Sequence, residues 1–250
     1  YKYVRNKHEL YCPRTPESKT SPMLWKMLDQ KGIECVTIPH HTADQVHPVD
    51  WNVTDPKYVT TVELFQCRGN NEYPGCPREK NLSRHVPTHH KHAYVDFALK
   101  QKKYKMGFIA SGDHNSMGIG LAALWVKDIS RAGIIEALQN RRTFATTGDK
   151  IFIDFKVNGS MIGTTVKSKD NQELKIIVEA QYPLEKVEIL RNSEGIKEFK
   201  PLNNKLHFNL THIDQQPLAA DDILYYYVRA TQKNKALAWS SPIWVEQDSE

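Results

Sequence analysis

Apolar runs and helical stretches alternate over residues 21–145, and the pattern then gives way to short alternating runs. Ser21-Pro22 opens a helix, because serine caps and proline suits the first turn. Leu24, Met27 and Leu28 form its apolar face, and Gly32 stops it. Ile33–Ile38 reads as a buried strand leading into His40-His41. Thr60–Phe65 is a second strand, followed by a long polar loop over 66–87. His89–Lys103 is predicted helical, with Tyr94, Phe97 and Ala98 on one face. Met106–Ser111 is the next strand, and Ser130–Asn140 the next helix. Strands that alternate with helices predict a parallel sheet or barrel. The units are too few for a closed eight-stranded barrel.

Beyond Asp149 the helical spacing stops. Ile151–Val157 alternates, Asn158-Gly159 turns the chain, and further strands are predicted at 174–180, 187–191, 206–210, 223–230 and 236–245. Short strands separated by turn signals read as an antiparallel β-sandwich. The sequence thus predicts an α/β region over 1–148 and an immunoglobulin-like β-sandwich over 149–250.

Two strands end in groups able to do chemistry. Val36-Thr37-Ile38-Pro39 leads into His40-His41, and Phe108-Ile109-Ala110-Ser111-Gly112 leads into Asp113-His114. Neutral imidazoles and carboxylates ligate Zn²⁺, Mn²⁺ or Fe²⁺, and strand C-termini are where parallel barrels gather function. Glu63 lies inside an apolar strand, where a carboxylate must be paired; a supporting role is expected for it. Arg68 and Arg142 follow strand and helix ends and suit recognition of an anionic group. His89, His90 and His92 sit at a predicted helix start and read as a solvated face.

These segments resemble the PHP (polymerase and histidinol phosphatase) superfamily of metal-dependent phosphoesterases, in a branch with a C-terminal β-sandwich. The matching stretches are Ile38–Thr42, Val62–Phe65, Gly107–Ser116, Arg141–Gly148 and Ala238–Trp244. The resemblance implies the C-terminal part of a distorted β/α barrel, followed by the sandwich. It implies two or three divalent metals (Zn, Mn or Fe), with His40, His41, Asp113 and His114 among the ligands. Asp113 and His114 would also act in catalysis on a small anionic or phosphorylated substrate, which Arg68 and Arg142 would bind. The family's earlier His-x-His and following metal motifs are not seen ahead of His40, and its Asp-x-His is here the adjacent Asp113-His114. The chain is therefore expected to start partway into the barrel, and to need the missing N-terminal segment or a partner chain to complete the site.

Composition narrows the alternatives. The chain is 40% hydrophobic and 25% charged, as in soluble globular proteins, and no apolar run reaches membrane-spanning length. A net charge of +5 is dispersed rather than blocked, so nucleic-acid binding is not expected. Cys12, Cys35, Cys67 and Cys76 lack CxxC spacing; a Cys67–Cys76 pair across the intervening loop is left open. The expected function is a metal-dependent hydrolase. The alternative is a non-catalytic binding or scaffolding protein, with Tyr225, Tyr226, Tyr227, Trp239 and Trp244 lining a sandwich surface.

Overall fold

The computed structural model describes residues 4–6, 9–11, 19–44, 48–79, 91–113, 116–168, 171–218 and 222–248. The N-terminal hairpin is β1 (Val4–Asn6) and β2 (Glu9–Tyr11). Helix α1 (Ser21–Gln30) begins as its sequence predicts, although Thr20 rather than Ser21 provides the cap, accepting from the Met23 N–H. Gly32, at φ 63°, ends the turn. Trp25 and Leu28 are buried, and Trp25 stacks on Tyr58 at 5.0 Å.

The segment 33–39 is not a regular strand. It runs beside β3 (Thr61–Gln66) and shares backbone bonds with the chain around it, Thr37 N–H to Tyr58 O and Glu63 N–H to Pro39 O. Pro39 has no N–H to continue a ladder. β4 (Gly69–Asn70) follows β3. Helix α2 (Val95–Lys100) is shorter than its predicted span, preceded by a 3₁₀ turn at Lys91–Ala93. β5 (Gly107–Ala110) pairs in parallel with β3, and β4, β3 and β5 form a three-stranded sheet. β6 (Leu121–Leu124), α3 (Arg131–Gln139, capped by Ser130) and β7 (Thr143–Thr146) come next.

The remaining elements are all strands. They are β8 (Phe152–Val157), β9 (Ser160–Met161), β10 (Thr165–Ser168), β11 (Gln172–Glu179), β12 (Leu184–Arg191), β13 (Glu194–Phe199), β14 (His207–Asp214), β15 (Ile223–Gln232), β16 (Leu237–Ser240) and β17 (Ile243–Gln247). β14, β11, β8 and β9 make one sheet. It packs Ile153, Phe155, Leu174, Ile176 and Val178 against Val187, Ile189, Tyr226, Val228 and Val245 of an eight-stranded sheet. The alternating runs beyond Asp149 form strands, but the larger sheet also takes in β6 and β7 from before that residue, and its β10–β17 pair is parallel rather than antiparallel.

The expected β/α barrel is not what forms. Among the described residues strands dominate, helices are few and short, and no sheet closes into a barrel. The misreading has a physical origin. β6 and β7, which the sequence did not mark as strands, pair antiparallel with each other, and β7 pairs antiparallel with β16. An apolar run does not reveal strand direction. β7 thereby joins the eight-stranded sheet, whose second face packs on the three-stranded sheet. Tyr225, Tyr227, Trp239 and Trp244 meet Val62, Leu64, Phe65 and Phe108 there. β15 supplies side chains to both cores, which is why its sequence is nearly continuous in apolar residues.

The sandwich carries a partly buried ion pair between Arg191 and Asp214. Arg191 Nη1 reaches both carboxylate oxygens of Asp214 at 2.9 and 2.7 Å, and Tyr226 OH donates to the same carboxylate at 2.8 Å. Burial pushes the Asp214 carboxyl up, but the bonds from Arg191 and Tyr226 bring it below its ordinary value of 3.8. A depressed carboxyl contributes stability above its unfolded value, and that stability is lost as pH falls through the folded one. Melting temperatures of the wild type and Asp214→Asn are therefore expected to differ at pH 6 and to converge at pH 2. A constant gap across that range would sink the assignment.

Candidate functional site

β3 and β5 are parallel, so their C-terminal ends open on the same side. Glu63 of β3 is buried and has three donors. His40 Nδ1 stands 2.5 Å from its Oε2, the His41 backbone N–H donates to Oε2 at 3.0 Å, and Ser111 Oγ, just past β5, donates to Oε1. Burial pushes the Glu63 carboxyl up, but these hydrogen bonds outweigh it and hold the group below its ordinary range. An ionised carboxylate only accepts, so His40 donates from Nδ1, and Nε2 is left to face outward.

Asp113 occupies that outer edge. Its Oδ2 lies 3.5 Å from His40 Nε2 and 3.0 Å from Arg68 Nη1. Arg68 sits on the turn between β3 and β4, with its backbone N–H on Gln66 Oε1 at 2.7 Å. Both Asp113 (φ 66°) and His41 (φ 37°) hold left-handed backbone, a conformation costly for most residues and tolerated best by Asn and Asp. Burial and then the neighbouring His40 lower the His41 imidazole, so that ring is neutral at pH 7.

Three buried polar atoms on the segments that carry the cluster have no hydrogen-bond partner among the described residues: His41 Nδ1, Thr42 Oγ1 and Gln66 Nε2. Buried polar groups are nearly always satisfied, so unsatisfied ones mark places where a ligand or water belongs.

The predicted residues divide clearly. His40, His41, Asp113 and Arg68 come together. Arg142 does not join them by any contact in the structure and pairs with Glu136 of α3 at 3.1 Å. His114 lies outside the described residues, as do Cys12, His85, His89 and His90. Glu63 has the supporting role expected of it. Ser111 and Gln66 were missed; a polar residue closing each apolar strand is the signal that marks them. Cys67 and Cys76 are free thiols, and burial pushes Cys76 up to about 12. Tyr225, Tyr226, Tyr227, Trp239 and Trp244 are all buried, so they line no surface.

The metal expectation fits only in part. His40 Nε2 and Asp113 Oδ2 are spaced as two donors to one ion could be, given metal–ligand distances of about 2.1 Å. Among the described residues, however, no group of three His, Cys, Asp or Glu is arranged to hold a metal. Arg68 already stands on the Asp113 oxygen that such an ion would use.

Residues 75–181 match the family described as "Protein of unknown function (DUF3604)", a match that covers less than half of the chain and includes Asp113 but not His40, Glu63 or Arg68. Uncharacterised proteins of Chlamydia trachomatis and Chlamydia muridarum are 26% and 27% identical over 94% of this chain. A third, from Chlamydia pneumoniae, is 27% identical over 85% of it. The chain spans about two fifths of the length of these relatives, 42%, 42% and 38%. Among solved structures, the fibronectin(III)-like modules of Clostridium thermocellum CbhA match 38% of this chain and 96% of theirs, at 12% identity and a TM-score of 0.27. An engineered protein matches 38% of the chain at 8% identity and a TM-score of 0.26. At these scores the likeness assigns neither fold nor function.

The resemblance to the PHP superfamily is therefore corrected. The matching family is one of unknown function, and the sheets close into no barrel. The labels drawn from that resemblance, metal-binding phosphoesterase with zinc or manganese, fall with it. The motifs misled because short polar strand ends of this kind arise in several folds. No helix among the described residues is long and apolar enough to cross a membrane.

Proposed function

We propose that the strand-end cluster is an acid–base centre acting on a small anionic substrate. One observation carries this reading: the His40 ring is held from behind by buried Glu63 and presents Nε2 beside an arginine. Glu63 fixes the tautomer, so Nε2 is the nitrogen that takes or gives a proton. Asp113 then stabilises the imidazolium that forms, and Arg68 offers a planar guanidinium to the substrate's oxygens. Ser111 and the His41 N–H keep Glu63 in place, so the geometry is set before any ligand arrives.

The test is turnover of a panel of phosphate, sulfate and carboxylate-bearing esters by the wild type and His40→Gln, with chelator present. Loss of a general acid–base group costs about 100-fold or more. No turnover of any ester, or equal turnover by the two proteins, would refute the reading. Turnover that requires a divalent cation would replace it with one in which His40 Nε2 and Asp113 Oδ2 are metal donors.

A further inference from the structure

Arg68 and Asp113 form an ion pair at the mouth of the site, and its two halves differ in kind. Asp113 is mostly buried, its side chain 7% exposed, and its left-handed backbone fixes where the carboxylate points. Arg68 is 39% exposed at its side chain, on a long flexible stem. Only the turn backbone is tied down, by the bond from Arg68 N–H to Gln66 Oε1. That same bond orients the Gln66 amide, whose Nε2 is buried and has no partner. The turn thus carries a partly exposed guanidinium held by the Asp113 carboxylate and, two residues before it, a buried amide NH₂ with no hydrogen-bond partner among the described residues.

We infer that Asp113 is a built-in competitor for an oxyanion site formed by Arg68 and Gln66. The carboxylate occupies the guanidinium when no substrate is present. An incoming carboxylate or phosphate takes Arg68 over and adds the Gln66 Nε2 contact that Asp113 leaves unmade. Exchange of one oxyanion for another keeps the arginine neutralised throughout, and it releases Asp113 Oδ2 from Arg68 while His40 stays within reach. Substrate charge thereby strengthens the His40–Asp113 pair that is already in place.

This inference deepens the acid–base reading and rests on it for the role of His40, but it can be tested by binding alone. Inorganic phosphate and acetate are titrated calorimetrically against the full chain in chelator. The proteins are wild type, Asp113→Asn, Arg68→Met, Arg68→Lys and Gln66→Leu, each first shown to melt cooperatively. Asp113→Asn is expected to bind phosphate about tenfold more tightly, the scale of one charge-assisted contact. Arg68→Met should lose binding, and Arg68→Lys should keep part of it. Gln66→Leu should weaken it severalfold. The acetate arm tells whether a planar monoanion suffices or a tetrahedral dianion is required. Weaker binding by Asp113→Asn, full binding by Arg68→Met, no binding by any protein, or binding that needs a divalent cation would each overturn the inference. If the binding pattern holds while His40→Gln turns over esters as the wild type does, the anion site stands and the catalytic reading falls.

Discussion

Arg229→Ala is expected to cost about 3–5 kcal/mol, the range for breaking a buried ion pair from one side. Arg229 is buried on β15 and serves two carboxylates. Its Nη1 reaches Glu72 Oε1 and Oε2 at 3.0 and 2.9 Å, while Nε and Nη2 reach Glu188 at 3.0 and 3.1 Å. Glu72 also accepts from Tyr227 OH at 2.8 Å and from Trp239 Nε1 at 2.9 Å. Truncation to alanine leaves both carboxylates without their guanidinium, and Glu72 is buried at 2% exposure. For a chain of this size, the loss corresponds to a fall in melting temperature of roughly 6–20 °C. Because Glu72 belongs to the loop after β4, the loop should loosen first. Limited proteolysis is then expected to cut near 70–79 in the variant and not in the wild type. A stability loss under about 1 kcal/mol would show that the network reorganises and that its geometry is not what holds the loop.

Gly112→Ala is expected to disrupt the site. A Cβ at Gly112 would stand 1.9 Å from the Ser116 carbonyl oxygen and 2.9 Å from its carbon, both backbone atoms. Neither can swing aside as a side-chain end could, so the loop carrying Asp113 must move. The expected cost is about 1–3 kcal/mol, as for overpacking, together with displacement of Asp113 from His40 and Arg68. Gly118→Ala is the matched control. Gly118 has φ 83° but open space around its Cβ position, so it should bear only the backbone cost of roughly 1–2 kcal/mol and leave the site intact. Backbone amide shifts of His40, Glu63 and Arg68 distinguish the two. Equal perturbation of those amides by both variants would refute the argument.

What the sequence revealed and what it hid follow from the range of each interaction. α1 and α3 were legible because their caps are local: Thr20 and Ser130 each lie within three residues of the N–H they accept. β8 and β11 were legible because one face is buried and the other is not, so their residues alternate. β6 and β7 were not legible as strands, because their partners are set by contacts far along the chain and Thr143–Thr146 is buried on both sides without alternation. In the site, His40, Asp113 and Arg68 were visible as polar groups at the ends of apolar runs. Their mutual arrangement was not, since Glu63 meets Ser111 across 48 positions and His40 across 23. Arg142 looked equivalent to Arg68 in sequence, and only the fold gives it Glu136 instead.

The strand β15 lies between two cores, with Tyr226 and Val228 turned to one and Tyr225 and Tyr227 to the other. A strand of this kind has no outer side on which to absorb an error. A change of volume at Tyr227 presses on Phe108, its edge-to-face neighbour at 5.4 Å, and Phe108 belongs to β5, which Ser111 directly follows. The chemistry at the strand tips is therefore braced by a wall that also closes the sandwich behind it. Adjusting the site from within that wall would mean retuning the sandwich as well, which leaves the tips and their loops as the places where this architecture can change what it recognises.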